Sequence, residues 1–295
     1  MRPFLALLVS LSWLFALPAL AAERGALFRI TLDGHEMHLF GTLHVGLPEF
    51  YPLEPRIVEA VSQASTLALE IDPALPQQAL LRALRSDGML PDGSRAYDDM
   101  DPERKARLDK LILQGGLDPV TARTFKPVLL ATLLTMGEYT KQGYRSELSS
   151  ESWLARLARR GNTRVLELES LGRQLAMLDR LGVQERWRFL DEMMSTIESG
   201  AQRIEARAMV QAWSTADRRA LDEIAARCEA DTSVSGTFVT QVLLKERNTG
   251  LAEALIQLLR QENKTFAAVG VLHLLGTGSV PALLQARGAS VERIY

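Results

Sequence analysis

The same pattern occurs near both ends of the chain, as Met37-His38-Leu39-Phe40-Gly41-Thr42-Leu43-His44 and as Phe266-Ala267-Ala268-Val269-Gly270-Val271-Leu272-His273. In each copy, an apolar run typical of a buried strand ends in glycine, and a histidine follows three positions later. The chain has four histidines, so this pattern accounts for half of them. If a sheet brings the two strand ends together, two imidazoles share one site, which is the start of a metal or acid–base centre.

Glycine at these positions has a physical reason. It lets the backbone turn sharply at a strand end, or lets a ligand approach the backbone closely. The histidine then lies in the crevice at the carboxyl edge of the sheet, where α/β proteins bind ligands. One isolated copy would favour a hydrogen-bonded structural histidine, whereas two copies after apolar strands keep a shared functional site open.

The rest of the chain alternates strand-like and helix-like stretches. Residues 26–32 and 36–40 flank Asp33-Gly34, a type I′ turn signal, and predict an opening hairpin. Four further strands are predicted, at residues 65–71, 163–168, 265–271 and 290–294. Helices between apolar strands indicate an α/β (α+β) protein with a mixed central sheet flanked by helices. We expect a single domain over residues 22–295, with a helical insertion or cap at about residues 76–143.

Composition limits the function classes. Hydrophobic residues make up 47% of the 295 residues and charged residues 24%, which is ordinary for a globular protein. The net charge of −2 offers no basic surface, so we expect no nucleic-acid partner. Cys228 is the only cysteine, which excludes a disulfide within the chain and favours a structural residue over a nucleophile. No sequence feature indicates the oligomeric state.

The first 21 residues differ from the rest. A basic start at Arg2 precedes an almost wholly apolar stretch, and Ala19-Leu20-Ala21 is a small-x-small cleavage signal. This pattern predicts a secretory signal peptide and a secreted or periplasmic protein. The alternative is an uncleaved membrane anchor, although the apolar stretch is short for a spanning helix. After removal of the signal peptide we expect no stable membrane span.

Two glutamates, like the two histidines, lie at the ends of predicted strands. Glu70 and Glu169 each end an apolar strand, where an acidic side chain is difficult to bury without a metal, a cation or a proton partner. A set of His44, His273 and Glu70 suits a divalent metal ion of the Mn, Co or Zn type, with a remaining carboxylate as general base. The plainer alternative is that either glutamate caps a helix or pairs with an arginine.

Arg247-Asn248 lies just before the predicted helix that leads to the second histidine segment. Arginine holds anions and carboxylates well, and asparagine orients ligands, so both are candidate catalytic groups beside Glu70 and Glu169. A plain helix N-cap is the alternative for Asn248. Gln174 lies about one and a half helical turns after Glu169 and is placed to support that carboxylate.

Six segments of the chain match, in order, the motifs of a known family. They are residues 38–46, 67–72, 168–170 with Gln174, 212–217, 246–248 and 268–276. On these segments the chain resembles the TraB/GumN family, to which the TIKI metalloproteases also belong. The resemblance implies a fold similar to that of erythromycin esterase and ChaN-like proteins. It also implies a site built from six residues, His44, Glu70, Glu169, Arg247, Asn248 and His273.

One stretch departs from the family pattern. At Gly143-Tyr144-Arg145-Ser146-Glu147 the family often has Gly-x-Asp, and here Arg145 takes the acidic position. If that acid supports the site, the chemistry of this member is altered unless Glu147 substitutes for it.

Three functions remain open from the sequence. The first is an exported metal-dependent hydrolase of peptidase type, acting on a peptide or small-molecule substrate. His44 and His273 would bind the metal, Glu70 would be the third ligand or general base, and Arg247 would hold a substrate carboxylate or the developing oxyanion. The second is metal-free hydrolysis, with His44 as general base oriented by Glu70. The third is a non-catalytic protein that binds a small ligand or peptide in polysaccharide or envelope processes, which the Arg145 departure favours.

Overall fold

The structure, a computed structural model, describes residues 22–94 and 96–295. The predicted signal peptide, residues 1–21, lies outside the described residues. None of the helices in the two described ranges combines the length and the apolar character that a bilayer crossing requires.

A six-stranded mixed sheet forms the centre of the fold and confirms the predicted class. The strands are β1 (Leu27–Leu32), β2 (His35–Thr42), β3 (Thr66–Leu69), β4 (Arg164–Glu167), β5 (Thr265–Gly270) and β6 (Ser290–Arg293). Their order across the sheet is β4-β3-β5-β2-β1-β6. The four strands from β4 to β2 run parallel, whereas β1 is antiparallel to both of its neighbours. The carboxyl ends of β2, β3, β4 and β5 therefore lie along one edge.

The hairpin predicted around Asp33-Gly34 is confirmed. Asp33 and Gly34 have φ values of 51° and 82°, the left-handed region that a type I′ turn needs at both central positions. The antiparallel pairing from Leu27 with Phe40 to Leu32 with His35 delivers β2 to the middle of the sheet.

Strand β5 lies between β3 and β2, and its register places the two glycine-histidine segments side by side. Thr42 on β2 pairs with Gly270 on β5. Both segments consequently leave the sheet at the same edge, one directly beside the other. The Trp213 indole N–H donates to the Gly41 carbonyl over 2.8 Å, and this hydrogen bond holds the end of β2 in place.

Helices cover the sheet and extend beyond it. They are α1 (Pro55–Gln63), α2 (Gln77–Ala83), α3 (Pro102–Gln114), α4 (Pro119–Ala122), α5 (Pro127–Lys141), α6 (Ser150–Arg160), α7 (Leu171–Met177), α8 (Val183–Glu198), α9 (Ala201–Ser214), α10 (Arg218–Ala230), α11 (Val234–Phe238), α12 (Arg247–Gln261) and α13 (Val280–Ala286). Short 3₁₀ turns cover Pro48–Phe50, Ser146–Leu148 and Val271–Leu274, and π-helical stretches cover Leu84–Gly88 and Val239–Glu246.

Two hydrophobic cores hold these elements together. One packs the sheet against α1, α6, α9, α10, α12 and α13, with Phe40, Trp213 and Phe266 fully buried. The other lies among helices, mainly α3, α5 and α8, around Leu130, Leu190 and Phe238. The site described below lies where the helices of the second core face the carboxyl edge of the sheet.

One predicted helix start is wrong. The sequence places Arg247 and Asn248 just before the helix, whereas α12 begins at Arg247 and continues directly from the π-helical stretch Val239–Glu246. Asn248 is thus inside a helix, and its side chain makes tertiary hydrogen bonds instead of capping an N-terminus.

Candidate functional site

His44 stands at the end of β2 and is held by a carboxylate that the sequence did not single out. The ring Nδ1 lies 2.6 Å from Glu151 Oε1, and Thr42 Oγ1 donates to the same oxygen over 2.7 Å. Glu151 is buried in the first turn of α6, whereas the His44 side chain is 68% exposed. With Nδ1–H donated to Glu151, the other ring nitrogen, Nε2, is left free.

The end of β2 is tied to the start of α6, which brings Glu151 to His44. The Leu43 N–H donates to Ser150 Oγ over 2.8 Å, and the Ser150 N–H donates back to the Leu43 carbonyl over 3.1 Å. Ser149 caps α6 by accepting from the Ser152 N–H. This reciprocal contact fixes the separation between strand end and helix start.

His273 lies in the 3₁₀ turn that follows β5 and is 4% exposed. Its Nδ1 lies 2.6 Å from Asn248 Oδ1, and Asn248 Nδ2 donates to the Gly278 carbonyl over 2.9 Å. Asn248 accepts through its only oxygen, so Nδ1 of His273 carries the proton and Nε2 is again the free nitrogen. Asn248 therefore acts on His273 and does not itself face the crevice.

Glu70, directly after β3, is buried and points between the two histidines. Its Oε1 accepts from the Gly270 N–H over 2.5 Å and lies 3.8 Å from His273 Nε2. Its Oε2 is ion-paired with Arg247. One oxygen is thus held by a cation and the other is turned toward the histidines.

Arg247 is occupied by carboxylates. Its Nε donates to Glu169 Oε2 over 3.0 Å, while Nη2 bonds both Glu70 and Glu169. Gln174 Nε2 also donates to Glu169 Oε2 over 3.0 Å. A substrate anion would have to compete with two carboxylates for this guanidinium, so the geometry gives Arg247 the role of holding Glu70 and Glu169.

Gly270 is the point on which the donors converge. An added Cβ at this residue would lie 3.3 Å from Glu70 Oε1, 3.5 Å from His44 Nε2 and 3.5 Å from His273 Cδ2. His44 Nε2 and His273 Cδ2 are therefore no farther apart than twice 3.5 Å, although the two residues lie near opposite ends of the sequence. Glycine here leaves open the space that the three side chains share.

The charges around Glu70 keep it ionised. Burial would raise the pKa of Glu70, but His273, Arg247, His44 and the Gly270 N–H together lower that pKa to about 2. Burial would lower the pKa of Arg247, and the Glu70 and Glu169 carboxylates raise it instead. The pair is therefore fully charged at neutral pH.

The two histidines have opposite protonation states at neutral pH. The charge of Glu151, opposed by burial and aided by the hydrogen bond, raises the pKa of His44 to about 9. Burial lowers the pKa of His273 to about 4, against the pull of Glu70. His273 is consequently neutral, and His44 carries the proton that a metal or a reaction step would remove.

These groups line a crevice of about 530 Å³ that opens to solvent. Its polar floor holds His44, Glu70, Glu151, Gln174 and Arg247, while His273 lies behind the floor. A concave site that combines buried charges with shifted pKa values is the usual setting of binding or catalysis.

The residue types of the donor set, two imidazoles and a carboxylate, suit a divalent transition metal. Each histidine donates Nδ1–H to an oxygen of Glu151 or Asn248, as metal-binding histidines do, and Nε2 would be the ligand atom, in His44 after loss of its second proton. The 3.8 Å between His273 Nε2 and Glu70 Oε1 is close to the separation of ligands bonded at about 2 Å to one ion. Among the described residues, no three His, Cys, Asp or Glu side chains are drawn together closely enough to hold an ion as they stand.

The segment that departs from the expected family pattern reaches the rim of the site by its backbone. Arg145 and Gly46 exchange two backbone hydrogen bonds, two residues after His44. The Arg145 side chain turns outward and pairs with exposed Glu147. Glu147 therefore does not substitute for a missing acid. The acid that reaches His44 from this part of the chain is Glu151.

The sequence offered one signal for Glu151. It occupies the first turn of a strongly amphipathic helix, in the i, i+3, i+4, i+7 register of Leu154, Ala155 and Ala158, and this register places it on the buried face. Strand-end reasoning could not find it, because Glu151 is on a helix 107 positions from His44 by chain and meets it only through the Leu43–Ser150 contact.

Comparisons with known proteins identify the family of the chain. A sequence model of the TraB/PrgY/gumN family matches residues 26–293. The chain is similar to "Uncharacterized protein YbaP" of Escherichia coli (strain K12), with 25% identity over 87% of this chain and 90% of that protein. The protein of the same name from Shigella flexneri matches equally, at 25% identity. No solved structure matches the chain. The match across residues 26–293 shows that the protein belongs to the TraB/PrgY/gumN family.

Proposed function

We propose that the protein is an exported, metal-dependent hydrolase that cleaves a carbonyl compound of peptide type. The observation that carries the proposal is the convergence of His44 Nε2, His273 and Glu70 Oε1 around Gly270 at the floor of an open crevice. Two imidazoles and a carboxylate are the ligand set of many hydrolytic zinc sites.

His44, His273 and Glu70 would hold the ion. A bound divalent ion supplies two things to hydrolysis, polarisation of the scissile carbonyl and a water of lowered pKa. Neighbouring residues set the protonation states of these three groups. Glu151 and Asn248 fix the tautomers of the two rings, and Arg247 keeps Glu70 charged.

Glu169 supports this arrangement from the far side of Arg247. It shares the guanidinium with Glu70 and accepts from Gln174, so it holds both groups at the edge of the crevice. With its guanidinium paired to Glu70 and Glu169, Arg247 is not free to hold a developing oxyanion, contrary to the role that the sequence predicted for it.

Metal content is the direct test. Purified wild type, His44→Ala and His273→Ala are dialysed against Mn²⁺, Co²⁺ or Zn²⁺ and measured by elemental analysis, together with cleavage of a mixed peptide library. We expect about one ion per wild-type chain and a loss of bound metal and activity in both variants. The matched control is His38→Ala, because His38 lies on the same strand and stacks on Phe266 away from the site. Equal metal content in all four proteins would refute the ligand assignment.

A second function is favoured by one specific contact. The 2.6 Å pair between His44 and Glu151 resembles the base–carboxylate unit of metal-free hydrolases, with Glu151 in the orienting role that was predicted for Glu70. Activity that survives chelation but is lost in His44→Ala would select this mechanism over the metal-dependent one.

A further inference from the structure

Part of the lining of the crevice is apolar and is not explained by any hydrolytic role. Six side chains form it, Ile71, Pro73, Leu75, Leu80, Met136 and Leu171. None of the six is fully buried, and Leu80 is 40% exposed. Isolated exposed leucines are ordinary on a protein surface, but six apolar side chains lining one concavity leave a contiguous area in contact with water.

Four separate elements supply this wall. Ile71, Pro73 and Leu75 belong to the connection after β3, and Leu80 to α2. Met136 comes from α5 and Leu171 from the first turn of α7. Helix α2 has no buried residue, so its apolar side chains are not consumed by packing on the protein's own core. The wall is continuous with Glu70, because Ile71 follows it directly.

The charges in the crevice exclude one class of ligand. Two cationic groups line it, and both are paired, His44 with Glu151 and Arg247 with Glu70 and Glu169. Asp72, also on the lining, is paired with Arg159. Away from an ion held at the floor by His44, His273 and Glu70, an anionic group would find several carboxylates and no unpaired cation among the described lining residues, so its desolvation there would go uncompensated.

We infer that the crevice selects uncharged substrates that carry an apolar side chain beside the carbonyl to be cleaved. This inference rests on the proposed hydrolase function for the bond that is cut, while the apolar subsite stands on the lining alone. The apolar group would lie against Leu75 and Leu80, with its carbonyl directed to the floor at His44 and Glu70. Removal of apolar area from water on both partners supplies the affinity.

The first arm of the test measures binding without catalysis. The neutral apolar fluorophore N-phenyl-1-naphthylamine is titrated into full-length mature protein, and into the variants Leu80→Asp and Leu75→Ser. We expect saturable binding to wild type and about fivefold to tenfold weaker binding to each variant. The control is Leu113→Asp, because Leu113 is a leucine on α3 that is 64% exposed and lies outside the crevice. Equal binding by all four proteins would overturn the inference.

The second arm reads the specificity of cleavage. A mixed peptide library is digested and the new termini are identified by mass spectrometry. We expect Leu, Ile, Met and Phe to be enriched, and Asp and Glu depleted, at one position beside the cut bond, with the enrichment lost in Leu80→Asp. Cleavage by wild type without such a preference overturns the apolar subsite and leaves the hydrolase proposal standing. Probe binding that Leu80→Asp abolishes, without cleavage of any peptide, supports the subsite and refutes the hydrolase.

Discussion

Glu151 decides how His44 meets the crevice. Its Oε1 accepts hydrogen bonds from His44 Nδ1–H and from the Thr42 hydroxyl, while Oε2 has no hydrogen-bond partner among the described residues. A buried carboxylate with so few partners strongly stabilises the protonated form of the imidazole beside it and so raises the pKa of that imidazole. The protonation state of His44 is therefore set by a residue on another element.

The substitution Glu151→Gln tests this dependence. Removing the negative charge takes away the largest cause of the raised pKa, so we expect the pKa of His44 to fall from about 9 toward its ordinary value of 6.5. An NMR titration of the histidine ring nitrogens measures it. Glu147→Gln is the control, because Glu147 pairs with Arg145 at the surface and should leave the titration unchanged. An unaltered His44 titration in Glu151→Gln would show that the pair does not form in solution.

Gly270→Ala tests the shared space among the donors. Gly270 has φ −49° and ψ 133°, which alanine adopts easily, so the cost falls on the site and not on the backbone. The added methyl would crowd Glu70 Oε1 at 3.3 Å and lie in van der Waals contact with both rings at 3.5 Å, so it would fill the space that the three donors share. We expect at least tenfold loss of metal affinity and of hydrolysis, with a small change in melting temperature.

The control for that substitution is Gly250→Ala within α12. Its Cβ would meet only the end of the Arg173 side chain, at 3.4 Å, and alanine is favoured over glycine in a helix by about 0.5–1 kcal/mol. Gly250→Ala should therefore keep the wild-type metal content and be no less stable. If both glycine variants behave alike, the space around Gly270 has no special role.

At the scale of elements, the sequence pattern did not predict that helix α12 begins at Arg247. The strand-end pattern located His44, Glu70, Glu169 and His273, because strand periodicity and parallel pairing are local and regular. The contact of Asn248 with His273 could not be predicted from such a pattern. An asparagine near a helix start is usually a cap, and only the continuous π-helical stretch Val239–Glu246 shows that the helix starts earlier. Such π-helical turns are frequent at functional sites, and this one aims Arg247 and Asn248 inward.

Asn248→Ala measures what α12 contributes to the second histidine. The change leaves the His273 Nδ1–H and the Gly278 carbonyl without their partners in a buried place. Each unsatisfied group costs about 1–3 kcal/mol, so we expect about 2–4 kcal/mol lower stability in urea unfolding and a lower metal affinity. Thr249→Ala is the neighbouring control, because Thr249 is exposed and makes only a 3.4 Å contact to its own helix. Equal urea midpoints would contradict the assignment.

At the scale of the whole molecule, composition and periodicity predicted the class and not the order of the sheet. The sequence gives no direct sign that β5, the fifth strand in the chain, inserts between β3 and β2. That placement depends on contacts between residues more than 190 positions apart, such as Ala68 with Ala267, and local pattern carries little information on them. It is nonetheless what brings the two glycine-histidine segments together. The sequence likewise predicted the helices that carry Leu130 and Leu190, but not that these helices pack together into a second core.

The site groups make the stability of the whole protein depend on pH in two opposite ways. His44 has a folded-state pKa raised to about 9 from 6.5, so its contribution is fully present below pH 6.5 and is lost as pH rises through 9. His273, lowered to about 4 from 6.5, and Glu70, lowered to about 2 from 4.5, contribute stability that is lost on acidification. The loss from His273 runs from pH 6.5 to 4, and that from Glu70 from pH 4.5 to 2.

We therefore expect the melting temperature of the metal-free protein to be highest near pH 6.5 and to fall on both sides. The alkaline decline should be the shallower one, because solvent reaches the 68% exposed His44 side chain and screens its pairing, whereas His273 and Glu70 are buried. Thermal scans from pH 3 to 10 measure the profile. Glu151→Gln should flatten the limb between pH 6.5 and 9 while the acid limb stays as in wild type, since His273 and Glu70 do not contact Glu151. An alkaline limb of wild-type slope in this variant would mean that groups outside the site set the pH dependence.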